Sequence, residues 1–247
     1  MKTILITGCS SGFGLATARH FLDRDWNVIA TMRTPREDVL PRSSRLSVLP
    51  LDVTSQESIR AAVDAAGPID VLVNNAGIGW LNALEGTPME VARSIFETNT
   101  LGTMAMTQAV LPQFRERREG VIVNVTSTVT LRPLSLLSVY TASKAAVNAF
   151  TESLALELEP FNVRVRLVLP GRSPETRFGE NARARMQTGY PEPYVDTVQR
   201  VFAGWQQPSA LTTAQDVAEA VWRAANDPAC PMSTPAGADA IEWAAAR

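Results

Sequence analysis

The chain has 247 residues, 45% hydrophobic and 19% charged, with a formal net charge of −2. That length holds one large domain or two small ones, and the near-neutral balance excludes a bulk electrostatic drive toward nucleic acid or anionic membranes. Two distant cysteines, Cys9 and Cys230, give no basis for a disulfide framework, and a single histidine, His20, gives none for a histidine-based metal site or a Ser-His-Asp triad.

Taken in chain order, the amino end MKTILITG is too short for a signal-peptide core and reads as a first strand, TILIT, at 3–7. TGCSSGFG follows at 7–14 and opens a helix predicted over 12–24. Gly8 permits a tight turn, and Gly12 and Gly14 admit a ligand close to backbone. Free N–H groups at the start of such a helix suit a pyrophosphate. The spacing is G-x-x-x-G-x-G rather than the general dinucleotide G-x-G-x-x-G.

A second strand, NVIATM (27–32), ends at Met32 and Arg33. NAD binders usually place a carboxylate here for the ribose hydroxyl, whereas arginine binds a 2′-phosphate. The sequence therefore favours NADP(H) over NAD(H). Strands LSVLPL (46–51), DVLVN (70–74), VIVNV (121–125) and VRVRLVL (163–169) alternate with helices over 55–66, 88–117 and 138–160. Strands apolar on both faces that alternate with helices predict a three-layer doubly wound α/β Rossmann fold, with a mostly parallel sheet of about seven strands.

A single domain over 1–247 is expected, interrupted by a substrate-binding loop or lid at about 171–212. That insert holds Pro174, Pro191, Pro193 and Pro208, with Tyr190, Tyr194, Phe202 and Trp205 as core or pocket lining. A helix is predicted over 213–227, and ADAIEW (238–243) offers a last strand. No apolar run reaches the roughly 18 residues of a bilayer span. A soluble cytoplasmic protein, with no membrane or nucleic-acid partner, is the expectation.

Tyr140 and Lys144, in YTASK, stand four residues apart and share one helix face. A free tyrosine, with pKa about 10, exchanges protons poorly at neutral pH. A nearby ammonium, together with an oxidised nicotinamide ring, favours phenolate and makes Tyr140 a general acid–base candidate. Ser127, at the end of VIVNVT, can bind a substrate oxygen. Cys9 reads as packing rather than redox chemistry, and His20 as a helix residue with no chemical role.

TGCSSGFG, NNAG (74–77), Asn99, Ser127, YTASK (140–144) and Pro170–Gly171 occur together in an order and spacing that resemble the short-chain dehydrogenase/reductases. The likeness covers about residues 1–171 well and the rest loosely. The glycine loop is most similar to the branch containing 17β-hydroxysteroid and retinol dehydrogenases and bacterial carbonyl reductases. The resemblance implies catalytic roles for Asn99, Ser127, Tyr140 and Lys144. Asn99 would bind a helix carbonyl and a water leading to Lys144. The cofactor would rest on Gly8, Ser10, Ser11, Gly12, Phe13, Gly14, Arg33, Asp52, Val53, Asn74, Ala76, Gly77, Tyr140, Lys144, Pro170, Gly171 and Thr176. Two positions depart from the family pattern: Glu175 stands where a Thr is common, with Thr176 one later, and Thr130 replaces a frequent glycine.

The function implied is reversible reduction of a ketone or aldehyde to an alcohol, with hydride from NADPH and a proton from Tyr140. A catalytically silent NADP(H)-binding redox sensor is the alternative. The insert, Trp80 and the 131–138 loop suggest an apolar pocket for a hydrophobic carbonyl or alcohol substrate. Family members are usually homodimers or homotetramers through long helices, here near 88–117 and 138–160.

Overall fold

The computed structural model describes residues 1–185, 189–207 and 209–246, without the side chains of Glu37 and Arg185. Pro208 and residues 186–188 of the expected insert lie outside the described residues.

The strands are β1 (Thr3–Ile6), β2 (Asn27–Met32), β3 (Leu46–Pro50), β4 (Val71–Asn74), β5 (Gly120–Val125), β6 (Val163–Pro170) and β7 (Ser233–Ala236). They form one sheet in the order β3-β2-β1-β4-β5-β6-β7, and each neighbouring pair is parallel. The order reverses between β1 and β4, and doubly wound sheets bind ligands at the strand carboxyl ends beside that point.

Register explains the two covering layers. Leu5 lies opposite Ile29 and Leu72, Leu72 opposite Ile122, and Ile122 opposite Val165. That row packs with Ile59 of α2 (Gln56–Ala66), Met106 and Phe114 of α4 (Gly102–Arg117) and Leu154 of α5 (Ser138–Leu158). The next residues along, Ile4, Val28, Val71 and Val121, face the other way. They join Phe21 of α1 (Gly12–Leu22) and Val217 and Val221 of α8 (Ala214–Asn226). His20 is buried there, 5.8 Å from the Trp222 ring and 3.2 Å from Gln215, away from the strand carboxyl ends.

Two expectations need correction. ADAIEW is not a strand. The last strand is Ser233–Ala236, and residues 238–245 form α9 (Ala238–Ala245). Gly237, at φ 103°, turns the chain between them. The alanines and Glu242 favour helix, while Pro235 is accommodated because β7 is an edge strand paired only with β6. The 88–117 helix is also interrupted: α3 (Met89–Phe96) passes into a π-turn, Glu97–Leu101, before α4.

The insert is built rather than irregular. It contains α6 (Phe178–Arg185) and α7 (Val195–Gln206). Val198 of α7 packs on Leu81, Ala83 and Leu136, with Tyr190, Tyr194, Phe202 and Trp205 around them. These aromatics form a small core of their own within the insert, closed against Leu81, Ala83 and Leu136.

Candidate active site

The glycine loop lies at the carboxyl end of β1. Gly8 and Gly12 have φ of 77° and 57°, in the left-handed region. A Cβ at Gly8 would come within 2.9 Å of the Ala76 backbone. Ser11 precedes α1 without a side-chain cap, so the first N–H groups of that helix remain available for an anion. Ser10 is exposed and Phe13 half-buried at its rim. The Cys9 thiol donates to the Ile6 carbonyl, and burial pushes it up to about 12, which suits packing rather than redox chemistry.

The two asparagines of NNAG part company. Asn74 points into the core, where its amide donates to Thr107 Oγ1 (3.1 Å) and Asn124 Oδ1 (2.9 Å). Its side chain therefore braces sheet against helix instead of lining the cradle. Asn75, which motif reading passed over, donates to the Thr7 and Gly8 carbonyls at 2.8 and 3.2 Å. The Asn75 and Ala76 N–H groups both donate to Thr7 Oγ1 at 2.9 Å. Asn75 thus sews the glycine loop to β4. Side-chain alternation along the strand was the available signal, since adjacent residues face opposite layers.

Arg33 is exposed just past β2. Asp52 accepts from the Thr54 N–H (2.9 Å) and hydroxyl (2.7 Å). Those bonds hold its carboxyl below the usual range, and the Arg33 charge adds a smaller pull. Val53 packs against the spot where a Cβ on Gly102 would fall.

Asn99 sits in the π-turn, a feature frequent at functional sites. Its amide clamps the Ile78 backbone, accepting from the N–H at 2.8 Å and donating to the carbonyl at 2.9 Å. It also donates to Ser143 Oγ at 3.1 Å. The side-chain partner is thus the loop after β4, not the helix carbonyl expected. A Cβ on Gly77 would lie 3.2 Å from Asn99 Oδ1 and 3.5 Å from Lys144 Nζ, so the three converge.

Tyr140 and Lys144 are both buried, one turn apart on α5, and Ser127 is buried beside them. Among the described residues, Lys144 Nζ has one hydrogen bond, to the Val125 carbonyl at 3.0 Å. An ammonium carries three donors, so two remain for a ligand. Burial pushes Lys144 down to about 8. Burial also pushes Tyr140 up to about 12, against a smaller lowering by Ser127. The expected depression of Tyr140 is therefore absent in the protein alone, because loss of hydration penalises the phenolate. Tyr140 stands as a neutral donor.

The departures from the family pattern each have a partner. Thr130 donates to the Ser127 carbonyl (2.8 Å) and accepts from Asn148 of α5 (3.0 Å), tying the loop to the helix. Glu175 turns away to accept the Ala214 N–H at the start of α8 (2.6 Å). Thr176 instead approaches the glycine loop, 3.5 Å from where a Cβ on Gly12 would stand. After Pro170 ends β6, the Gly171 N–H donates to Thr212 Oγ1 (2.9 Å) and the Arg172 N–H to buried Asp239 (2.6 Å). A Cβ on Gly171 would collide with that carboxylate, so glycine is required there.

A strand-end glycine loop lies beside a buried Ser127, Tyr140 and Lys144. A family model described as short chain dehydrogenase matches residues 2–187, and the chain belongs to that family. It is similar to 3-ketodihydrosphingosine reductase of Bacteroides thetaiotaomicron, 39% identical over 81% of this chain and 74% of that protein. It is also similar to retinol dehydrogenase 8 of Bos taurus, 40% identical over 69% of this chain, although the match spans only 58% of that protein. Among solved structures it resembles a short-chain dehydrogenase from Streptomyces avermitilis, with TM-score 0.84, 31% identity, and 99% and 91% of the two chains covered. The closed form of serine dehydrogenase complexed with NADP+ is similar at TM-score 0.82 and 30% identity, covering 96% of this chain and 95% of that one.

Proposed function

We propose that the protein is an NADP(H)-dependent oxidoreductase that reversibly reduces a ketone or aldehyde on an apolar body to the alcohol. One observation carries the reading: a buried phenol beside the buried Ser127 stands one helical turn from a buried lysine with donors left over. The glycine loop suits a pyrophosphate because it leads, through left-handed Gly8 and Gly12, into a helix start with no side-chain cap on its N–H groups. Arg33, with no carboxylate at the end of β2, favours the cofactor bearing a 2′-phosphate. NADP+ in the serine dehydrogenase relative is consistent with that choice.

A bound reduced nicotinamide would supply hydride to the carbonyl carbon. Tyr140 donates its proton to the carbonyl oxygen, and the Ser127 hydroxyl stabilises the developing negative charge. Lys144 would offer its two remaining donors to the cofactor's ribose and help return a proton to Tyr140, while Asn99 holds the loop that carries Ile78. With its hydroxyl near 12, Tyr140 is in the acid form that reduction needs. Oxidation needs phenolate, which the positive ring of an oxidised cofactor would favour.

Two further points belong to the proposal. Copies of the chain associate as a homodimer or homotetramer through α4 and α5, where a groove of about 560 Å³ is lined by Leu101, Leu111, Phe150 and Leu154; light scattering on the purified protein tests this. The setting is cytoplasmic, in keeping with two free, buried cysteines. Among the described residues, no helix is long and apolar enough to cross a membrane.

The experiment that tests the function is a panel of ketones and alcohols followed by NADPH absorbance and repeated with NADH. Carbonyl-dependent NADPH oxidation is expected. Tight NADPH binding without turnover on any carbonyl would point instead to a silent redox-sensing regulator.

A further inference from the structure

The lid contacts the catalytic tyrosine at one described point. Phe178, the first residue of α6, has its ring centroid 5.6 Å from that of Tyr140, tilted by 55°. The opposite side of the contact is Gly79. A Cβ there would come within 2.7 Å of Phe178 Cε1 and Cζ and 3.4 Å from Ala182 Cβ. The ring is therefore seated on bare backbone, a seat that no larger residue at position 79 would leave open.

Gly79 also borders a cleft of about 380 Å³, lined in addition by Ile78, Trp80, Ile95 and Ala184 and by the polar Glu90 and Ser94. That volume lies within the range of small-molecule sites, and the lining is mostly apolar. Neither Tyr140 nor Phe178 lines the cleft, but Phe178 lies against both the Tyr140 ring and Gly79, which does line it. Phe178 remains 39% exposed, so its ring is not locked inside the core. A half-exposed aromatic ring between a proton donor and an apolar cleft is a poor device for stability and a good one for sorting substrates by size.

Resting on the reading of Tyr140 as proton donor to a carbonyl, we propose that Phe178 determines substrate specificity. Its ring walls off the cleft under Gly79 from the reacting carbonyl. The enzyme as it stands takes carbonyl compounds with a compact substituent on that side. Shortening residue 178 joins the cleft to the site and admits a long or bulky apolar substituent. A wall that excludes or admits a few methylenes in an apolar pocket changes discrimination about tenfold or more.

The test uses the whole chain with NADPH and a homologous series of methyl ketones from butanone to dodecanone. The wild type, F178L and F178A are compared by kcat/KM along the series. The expected result is a ratio of long-chain to short-chain kcat/KM that rises with each step from Phe to Leu to Ala, reaching about tenfold or more in F178A. A ring that merely pins α6 would change all ketones alike, so an unchanged chain-length profile in a folded variant that binds NADPH overturns the assignment. Thermal unfolding with and without NADPH identifies folded variants, and F178L decides the matter if F178A does not fold. If the wild type reduces no carbonyl compound at all, the underlying reductase reading has failed, a result seen before any variant is made.

Discussion

The strand-end site and the lid above it are held together by different physics. Lys144 and Asn99 are held by short directional hydrogen bonds to backbone at the end of β5 and just beyond β4. The lid rests on Val198 and a ring of half-buried aromatics, and on the guanidinium of Arg172, which donates to the Trp205 carbonyl and to Ser209 Oγ (2.8 Å). Directional bonds on a rigid sheet fix atoms to the tolerance that proton transfer needs. Apolar packing tolerates exchange of one hydrophobic side chain for another. On the proposed function, the first part would fix the chemistry and the second could be retuned for the substrate.

The strongest way to break this division is at the proton donor. Tyr140→Phe keeps the ring and removes the hydroxyl, so turnover should fall by about 10²–10⁴-fold with NADPH affinity nearly unchanged. Near-normal turnover by absorbance assay would exclude the acid role. A substitution in the lid, by contrast, should redistribute kcat/KM among substrates.

Cofactor choice lies on the rigid side. Arg33→Asp replaces a phosphate-binding cation with a carboxylate. The NADPH/NADH ratio of kcat/KM should move toward NADH by about ten- to a hundredfold, the scale of a lost charge-assisted hydrogen bond. An unaltered ratio would locate the discrimination elsewhere.

The buried lysine sharpens the comparison through pH. Lys144 sits near 8 in the folded protein against a usual 10.5. Between those values the unfolded chain carries a proton that the folded chain lacks, so this residue makes stability rise with pH across that window and lowers it at neutral pH. Lys144→Met should raise the unfolding midpoint at pH 7 and flatten the rise between about 8 and 10.5. A midpoint that drops at pH 7 would show that the ammonium is better paired than its single carbonyl bond suggests.

The smallest expected effect lies where site and lid meet. Leu136 is buried in the lid cluster yet has φ of 68°, a conformation costly for a bulky residue. Its carbonyl accepts the Asn82 N–H at 2.9 Å, which helps hold it there. Glycine is ordinarily about 0.5–1 kcal/mol worse than alanine within regular structure. At this position Leu136→Gly should be at least as stable as Leu136→Ala by chemical denaturation. The usual order of the two would mean that the backbone is unstrained.

Much of the fold was legible without coordinates. Six strands and the glycine loop showed as apolar runs and punctuation, because a strand covered on both faces has no polar side to disguise it. The last strand did not. Ser-Thr-Pro-Ala at a sheet edge carries little hydrophobic signal, whereas the following ADAIEW resembled a strand more than its alanines warranted. Within the site, the spacing of Tyr140 and Lys144 was enough to place them on one helix face. The bonding of Asn75 and the seat of Phe178 on Gly79 involve partners far apart in the chain. Only the fold brings them together.

By itself, then, the amino-acid sequence determined the alternation of strands and helices, the cradle at the first turn and the shared helix face of Tyr140 and Lys144. These follow from local periodicity and from residue chemistry at short spacing. The tertiary structure alone decided that burial raises Tyr140, that a π-turn aims Asn99 at the Ile78 backbone, and that a phenylalanine of the insert packs against the tyrosine ring. Hydration lost, backbone re-aimed and space enclosed are properties of packed surroundings, and those surroundings are assembled from distant segments.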